Sequence, residues 1–191
     1  MRRTNYCDTC ALGTNNSLGE SAISWSPSAR YVAYTAFLQQ APAGPACKVF
    51  IVPSDAKDGD SWPGMRVQVT SVPQGAHDYD PNWSPLNNEI VFDRSDTYIY
   101  RRGVAGFSSD TSEVLVTTSN NCTNEADILP AVSPDGRWVA FSRCNAGQQG
   151  WSIWKISIKG GTAKQLTPTV AANTDFYAHW SADGQWICFQ R

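Results

Sequence analysis

Four times this chain spells one word. It appears as SWSPSARYVAYTA (24–36), NWSPLNNEIVFDR (82–94), AVSPDGRWVAFSR (131–143) and HWSADGQWICFQR (179–191). Aligned on Ser26, Ser84, Ser133 and Ser181, the words stand 58, 49 and 48 residues apart, the spacing of repeated supersecondary units. Six residues after each serine comes Val32, Ile90, Val139 or Ile187, and eight after comes Tyr34, Phe92, Phe141 or Phe189. Between them sit Ala33, Val91, Ala140 and Cys188. A β-branched, a small and an aromatic residue in succession make a strand apolar on both faces, so each sheet needs protein on either side.

Before each serine the residues alternate. Trp25, Trp83, Val132 and Trp180 come one before, Ile23, Pro81, Pro130 and Ala178 three before, and Ser21, Tyr79, Ile128 and Phe176 five before. Period two with one mostly apolar face predicts a first strand. SPSAR, SPLNN, SPDGR and SADGQ then predict tight hairpins, since Pro presets φ and Asn or Gly tolerates positive φ. Third strands are expected at 48–52, 97–101 and 152–156, and fourth strands at 65–70, 113–118 and 163–167. Four antiparallel strands per unit make an all-β chain of β-propeller blades. The expected organisation is an arm at 1–19, then blades at 20–72, 76–118, 124–167 and an incomplete 173–191. That is about three and a half blades, with no helix of ten residues.

The words Trp25-Ser26-Pro27, Trp83-Ser84-Pro85, Ser133-Pro134-Asp135-Gly136 and Trp180-Ser181, with Gln165-Leu166-Thr167 closing the third unit, resemble the TolB-like propeller repeat. The resemblance covers roughly residues 20–191. It departs from the pattern at Ala182, where Pro is usual, and at Val132, where Trp is usual. It implies a toroid that closes with about six to eight blades, more than are seen here. Two expectations follow: a piece of a longer chain, or a homodimer whose two copies complete one ring. The resemblance also implies a binding module at a bacterial envelope, hence a periplasmic or extracytoplasmic place and a protein or peptide partner held at loops or channel mouth. Related propellers also serve as domains of prolyl-oligopeptidase-like peptidases and of carbohydrate-active enzymes, the alternative reading.

Candidate site residues come from the repeat and from its interruptions. Six before each serine stands an acid, Glu20, Asp78, Asp127 or Asp175. Two readings hold: a partial ring of carboxylates that attracts a cation or basic peptide, or turn caps that accept backbone N–H groups. His179 shares a strand with Asp175 and Tyr177, too thin a donor set for a metal site, and no cofactor is expected. The loops 39–47, 54–64 and 101–112 vary most between units, and Pro42, Pro45, Trp62 and Phe107 are their rim candidates for protein contact.

Other signals exclude more than they assign. Net charge is −2 with no basic run beyond two residues, so no nucleic-acid partner is expected. No stretch approaches the roughly 18 apolar residues of a membrane-spanning helix. Ser17 lies outside any G-x-S-x-G frame, and in DAKDGDSW (55–62) Lys57 falls where a calcium loop needs an oxygen ligand. Cys7 and Cys10 lack the second pair of a zinc site. Cys122 precedes the first strand of unit three and Cys144 follows its second, ends that antiparallel geometry brings together as a plausible disulfide. Cys188 is expected to pack inside its strand.

Overall fold

The computed structural model describes residues 23–38, 46–55, 67–70, 76–86, 88–106, 111–118, 127–144, 150–168 and 174–191. Among these, fourteen strands and no helix are present. The first sheet holds β1 (Ser24–Trp25), β2 (Tyr31–Leu38), β3 (Ala46–Pro53) and β4 (Val67–Gln68). The second holds β5 (Asp78–Trp83), β6 (Glu89–Arg94), β7 (Tyr98–Gly103) and β8 (Glu113–Leu115). The third holds β9 (Asp127–Val132), β10 (Trp138–Cys144), β11 (Trp151–Ser157) and β12 (Lys164–Gln165). Only β13 (Phe176–Trp180) and β14 (Ile187–Gln190) form the fourth. Every sheet is an antiparallel meander in chain order, so each unit of the repeat is one blade.

The anchor serine has a local job. In blades 1, 3 and 4 its hydroxyl accepts the N–H five residues on, Ser26 from Tyr31 at 3.1 Å, Ser133 from Trp138 at 2.9 Å and Ser181 from Trp186 at 2.9 Å, while the buried Ser84 hydroxyl of blade 2 makes no such bond. The same hydroxyls of Ser133 and Ser181 donate to Asp135 and Asp183 at 2.5 Å, so Ser-x-Asp ties the hairpin from both sides. Left-handed backbone at Ala29, Asn88, Gly136 and Gly184 completes the turns. Glycine suits such φ best, and Asn tolerates it. A second recurring hydroxyl closes the outer edge. Thr70, Thr117 and Thr167 accept the N–H of Val49, Ile99 and Ile153 where the fourth strand leaves the third.

The seams between blades follow from the two-faced second strands. Ile90 and Phe92 of blade 2 pack with Ala33, Val49 and Ile51 of blade 1. On the opposite face Val91 and Ile99 meet Val132, Val139 and Phe141 of blade 3. Ala140 and Ile153 then meet Ala178, Trp180 and Ile187 of blade 4. Polar staples cross the same seams, from the Trp83 N–H to Ser24 Oγ (2.8 Å), the Val132 N–H to Asn82 Oδ1 (2.9 Å) and Trp180 Nε1 to the Ala131 carbonyl (3.0 Å).

Two expectations are corrected. The first strands do not keep period two throughout, because register breaks between Tyr79 and Asn82 in β5 and between Phe176 and His179 in β13. Opposite β9 the break falls between Ala140 and Ser142. Cys188, at the register where Ala33, Val91 and Ala140 are fully buried, is an exposed thiol, because it lies on the face of blade 4 that no further described blade covers. Cys144 is disulfide-bonded; Cys122, its expected partner, lies outside the described residues.

Candidate functional site

In blades 2, 3 and 4 the first strand begins at or directly after a buried acid, and each of these three acids is held by an arginine at the end of the neighbouring strand. Arg94 Nε lies 2.6 Å from Asp78 Oδ1. Arg143 approaches Asp127 through Nε and Nη2 at 2.5 and 2.7 Å, and Arg191 approaches Asp175 in the same way at 2.9 and 3.2 Å. All three carboxylates are fully buried. Two-point Arg–carboxylate pairing fixes orientation as well as charge.

Each guanidinium also lies over aromatic rings. Arg94 stands 5.3 Å from the Phe92 ring and 4.7 Å from Tyr100. Arg143 stands 5.0 Å from Phe141 and 5.1 Å from Trp154, and Arg191 stands 5.4 Å from Phe189. The positive plane over an aromatic face adds attraction to the ion pair. In blade 2 the pair widens into a network, with Lys48 reaching Asp78 from blade 1 at 3.3 Å and Glu113 bridging Arg94 and Arg102. Burial by itself would raise the Glu113 carboxyl, but hydrogen bonds from Arg94 and Arg102 hold it below its ordinary value. The Arg191 hydrogen bond does the same to Asp175.

Two residues past each buried acid the backbone turns left-handed, with φ of 47° at Asp80, 56° at Leu129 and 55° at Tyr177. A bulge of this kind bends the strand and re-aims the side chains beside it. For Leu and Tyr a positive φ is strained and persists only where the surroundings impose it. The bulged pairs differ from blade to blade: Tyr79-Asp80, Ile128-Leu129 and Phe176-Tyr177. Tyr177 is the most open of them, 53% exposed. Beside the blade 2 bulge, His77 stacks on Tyr79 at 5.8 Å and takes the Cys47 N–H on its Nδ1 at 3.2 Å. Burial, then the Cys47 thiol, pushes the Tyr79 hydroxyl far up, so it stays protonated.

The structure thus places Asp78, Asp127 and Asp175 at equivalent points of blades 2, 3 and 4, under arginines. His179 is apart from them, exposed on β13 and directly opposite Cys188 on β14. Among the described residues no group of three His, Cys, Asp or Glu side chains is arranged to hold a metal ion. Glu20, Trp62 and Phe107, with Pro42 and Pro45, lie outside the described residues. Sequence reasoning missed the arginines, although Arg94, Arg143 and Arg191 each stand ten residues after an anchor serine. It also missed the bulges, for which the residue types Asp, Leu and Tyr carry no common signal.

Fold and site together define a row of stacked antiparallel propeller blades, with an Asp–Arg clasp and a bulge opening blades 2, 3 and 4. The chain is similar to TolB of Acinetobacter baumannii, with a TM-score of 0.61 and 19% identity over 89% of this chain and 37% of that one. It is similar also to a protein assigned as TolB from Agrobacterium tumefaciens, with a TM-score of 0.63 and 19% identity over 92% of this chain and 61% of that one. An oligogalacturonate lyase solved in complex with manganese matches at 0.61 with 13% identity, over 88% of this chain and 46% of that one. No family model matches the chain. A 60-residue stretch is 33% identical to Atu1656, an uncharacterised protein of Agrobacterium fabrum, covering 31% of this chain and 19% of that protein. The chain therefore spans under two thirds of each of these relatives. The fold is that of a TolB-like β-propeller, in agreement with the repeat.

Proposed function

We propose that this chain is a non-catalytic binding or scaffold module that holds a protein or peptide partner at the bulged ends of its first strands. The observation that carries the reading is a constant backbone detour bearing varied side chains at Tyr79-Asp80, Ile128-Leu129 and Phe176-Tyr177. A stiff repeated frame that displays different residues at one register is how scaffolds build specific surfaces. In this reading Asp78, Asp127 and Asp175 serve by setting the start of each first strand. Glu20, His179, Trp62 and Phe107 are further contact candidates from the sequence. The disulfide at Cys144 supports an oxidising, extracytoplasmic compartment.

Ring completion by a second copy meets a constraint. Blade 4 of one copy would have to seat on the outer face of blade 1 of the other, where Tyr34 and Phe50 are already only 8% and 3% exposed. The enzyme reading draws on the likeness to the lyase, which at 13% identity concerns the fold alone.

The test is selection of a binder from a displayed peptide library, followed by calorimetry with Leu129→Asn and Tyr177→Asn. Loss of roughly tenfold or more in affinity with unchanged melting is expected, about 1.4 kcal/mol of binding energy. Turnover of a peptide or oligosaccharide substrate that disappears in Asp80→Asn would replace this reading with the enzymatic one.

A further inference from the structure

Asp93 is the one ionisable side chain among the described residues that is fully buried and has both carboxyl oxygens without a hydrogen-bond partner. It lies on β6, beside Val91 on the face turned toward blade 3, with Tyr79 opposite it on β5. Among the described residues no Lys or Arg pairs with it, in contrast to Asp78, Asp127 and Asp175. The charged and titratable groups that face it are Tyr79 and Asp80 from β5 and Asp96 from the turn before β7. From β9 the amide of Leu129 acts on it, while Asp127 on that strand is clasped by Arg143. Neither Leu129 nor Asp80 meets it in full hydrogen-bond geometry.

The equivalent position in blade 1 shows what the register does. Thr35, nine residues after its anchor serine as Asp93 is after Ser84, donates its hydroxyl across the seam to the Asp78 carbonyl of blade 2 at 3.3 Å. A protonated carboxyl has an O–H to give at the same place. An ionised one has none and sets a buried charge beside Asp80 and Asp96 with no described cation against it, which is strongly unfavourable.

We propose that Asp93 is a proton-operated latch on the seam between blades 2 and 3, closed while its carboxyl carries a proton and loosened when it ionises. Burial, then the neighbouring Asp80 and Asp96 charges, pushes that carboxyl well above the ordinary range, so the change falls at higher pH than for an exposed acid. With the folded-state value raised, the contribution to stability is complete below the unfolded value and is lost as pH rises through the folded one.

The experiment follows melting and amide exchange of β6 and β9 from about pH 5 to about pH 9 in wild type, Asp93→Asn and Asp93→Thr. Exchange is corrected for its intrinsic pH dependence. Wild type is expected to lose melting temperature and gain roughly tenfold in seam exchange across the range, while both variants stay flat. Parallel profiles for wild type and either folded variant overturn the latch. So does a wild-type melting temperature that does not fall, which keeps the test decisive if the variants fail to fold.

Discussion

Arg143 grips both carboxylate oxygens of Asp127, one strand across and sixteen residues along the chain, with Nε at 2.5 Å and Nη2 at 2.7 Å. The acid is fully buried and the arginine side chain only 11% exposed, so the carboxylate has no water as an alternative partner. Removing one member leaves the other charge stranded. Asp127→Ala and Arg143→Ala are each expected to cost about 3–5 kcal/mol in urea unfolding, and the double change Asp127→Leu with Arg143→Met far less. A double variant as unstable as the singles would contradict the clasp.

Thr117 accepts the Ile99 N–H at 3.0 Å in a fully buried setting. Thr117→Val keeps the shape and removes the acceptor, and the orphaned amide is expected to cost about 1–3 kcal/mol. Thr117→Ser should recover most of that, as read by denaturant midpoint.

Leu129 occupies a φ of 56°. Asn tolerates this backbone and a β-branched residue does not. Leu129→Asn is therefore expected to leave stability unchanged or raise it, and Leu129→Val to lower it by about 1–3 kcal/mol, read from denaturant unfolding. Equal losses for the two would mean that Leu129 is held for its packing and not despite its backbone.

The Asp175–Arg191 pair sets an acid limit on blade 4. Because the Arg191 hydrogen bond lowers the folded-state value of Asp175 below 3.8, its contribution is complete above that pH and lost as pH falls through the folded value. Wild type should lose stability more steeply than Arg191→Gln below about pH 4. Coincident curves in an acid titration followed by circular dichroism would remove the linkage.

Cys188 is exposed and Cys47 is buried at 3%. A maleimide should label Cys188 at once in the native protein and Cys47 only on unfolding, a difference that peptide mass mapping resolves. Rapid native labelling of Cys47 would mean that the blade 1 sheet opens readily.

Much of the fold was legible because blades are built from local rules. The serine hairpins, the two-faced second strands and the third strands depend on residues within a few positions of each other, so period and turn chemistry reveal them. The fourth strands were legible mainly through their position, and they proved short, two or three residues each. The recurring acids were visible as well. Their arginines recur in three of the four repeats, but the pairing joins residues sixteen apart in the chain and becomes evident only when β5 and β6, or β9 and β10, are seen in register.

The sequence by itself determined a row of repeated four-stranded sheets, because hydrophobic periodicity and hairpin geometry act over short range. Only the tertiary structure decided what each seam makes of its residues. Where one blade lies against the next, Asp93 loses water without gaining a cation. Leu129 and Tyr177 take up left-handed backbone, and Cys188 stands exposed where Ala33, Val91 and Ala140 are covered. Burial and strain are properties of the neighbouring blade, and no single repeat encodes its neighbour.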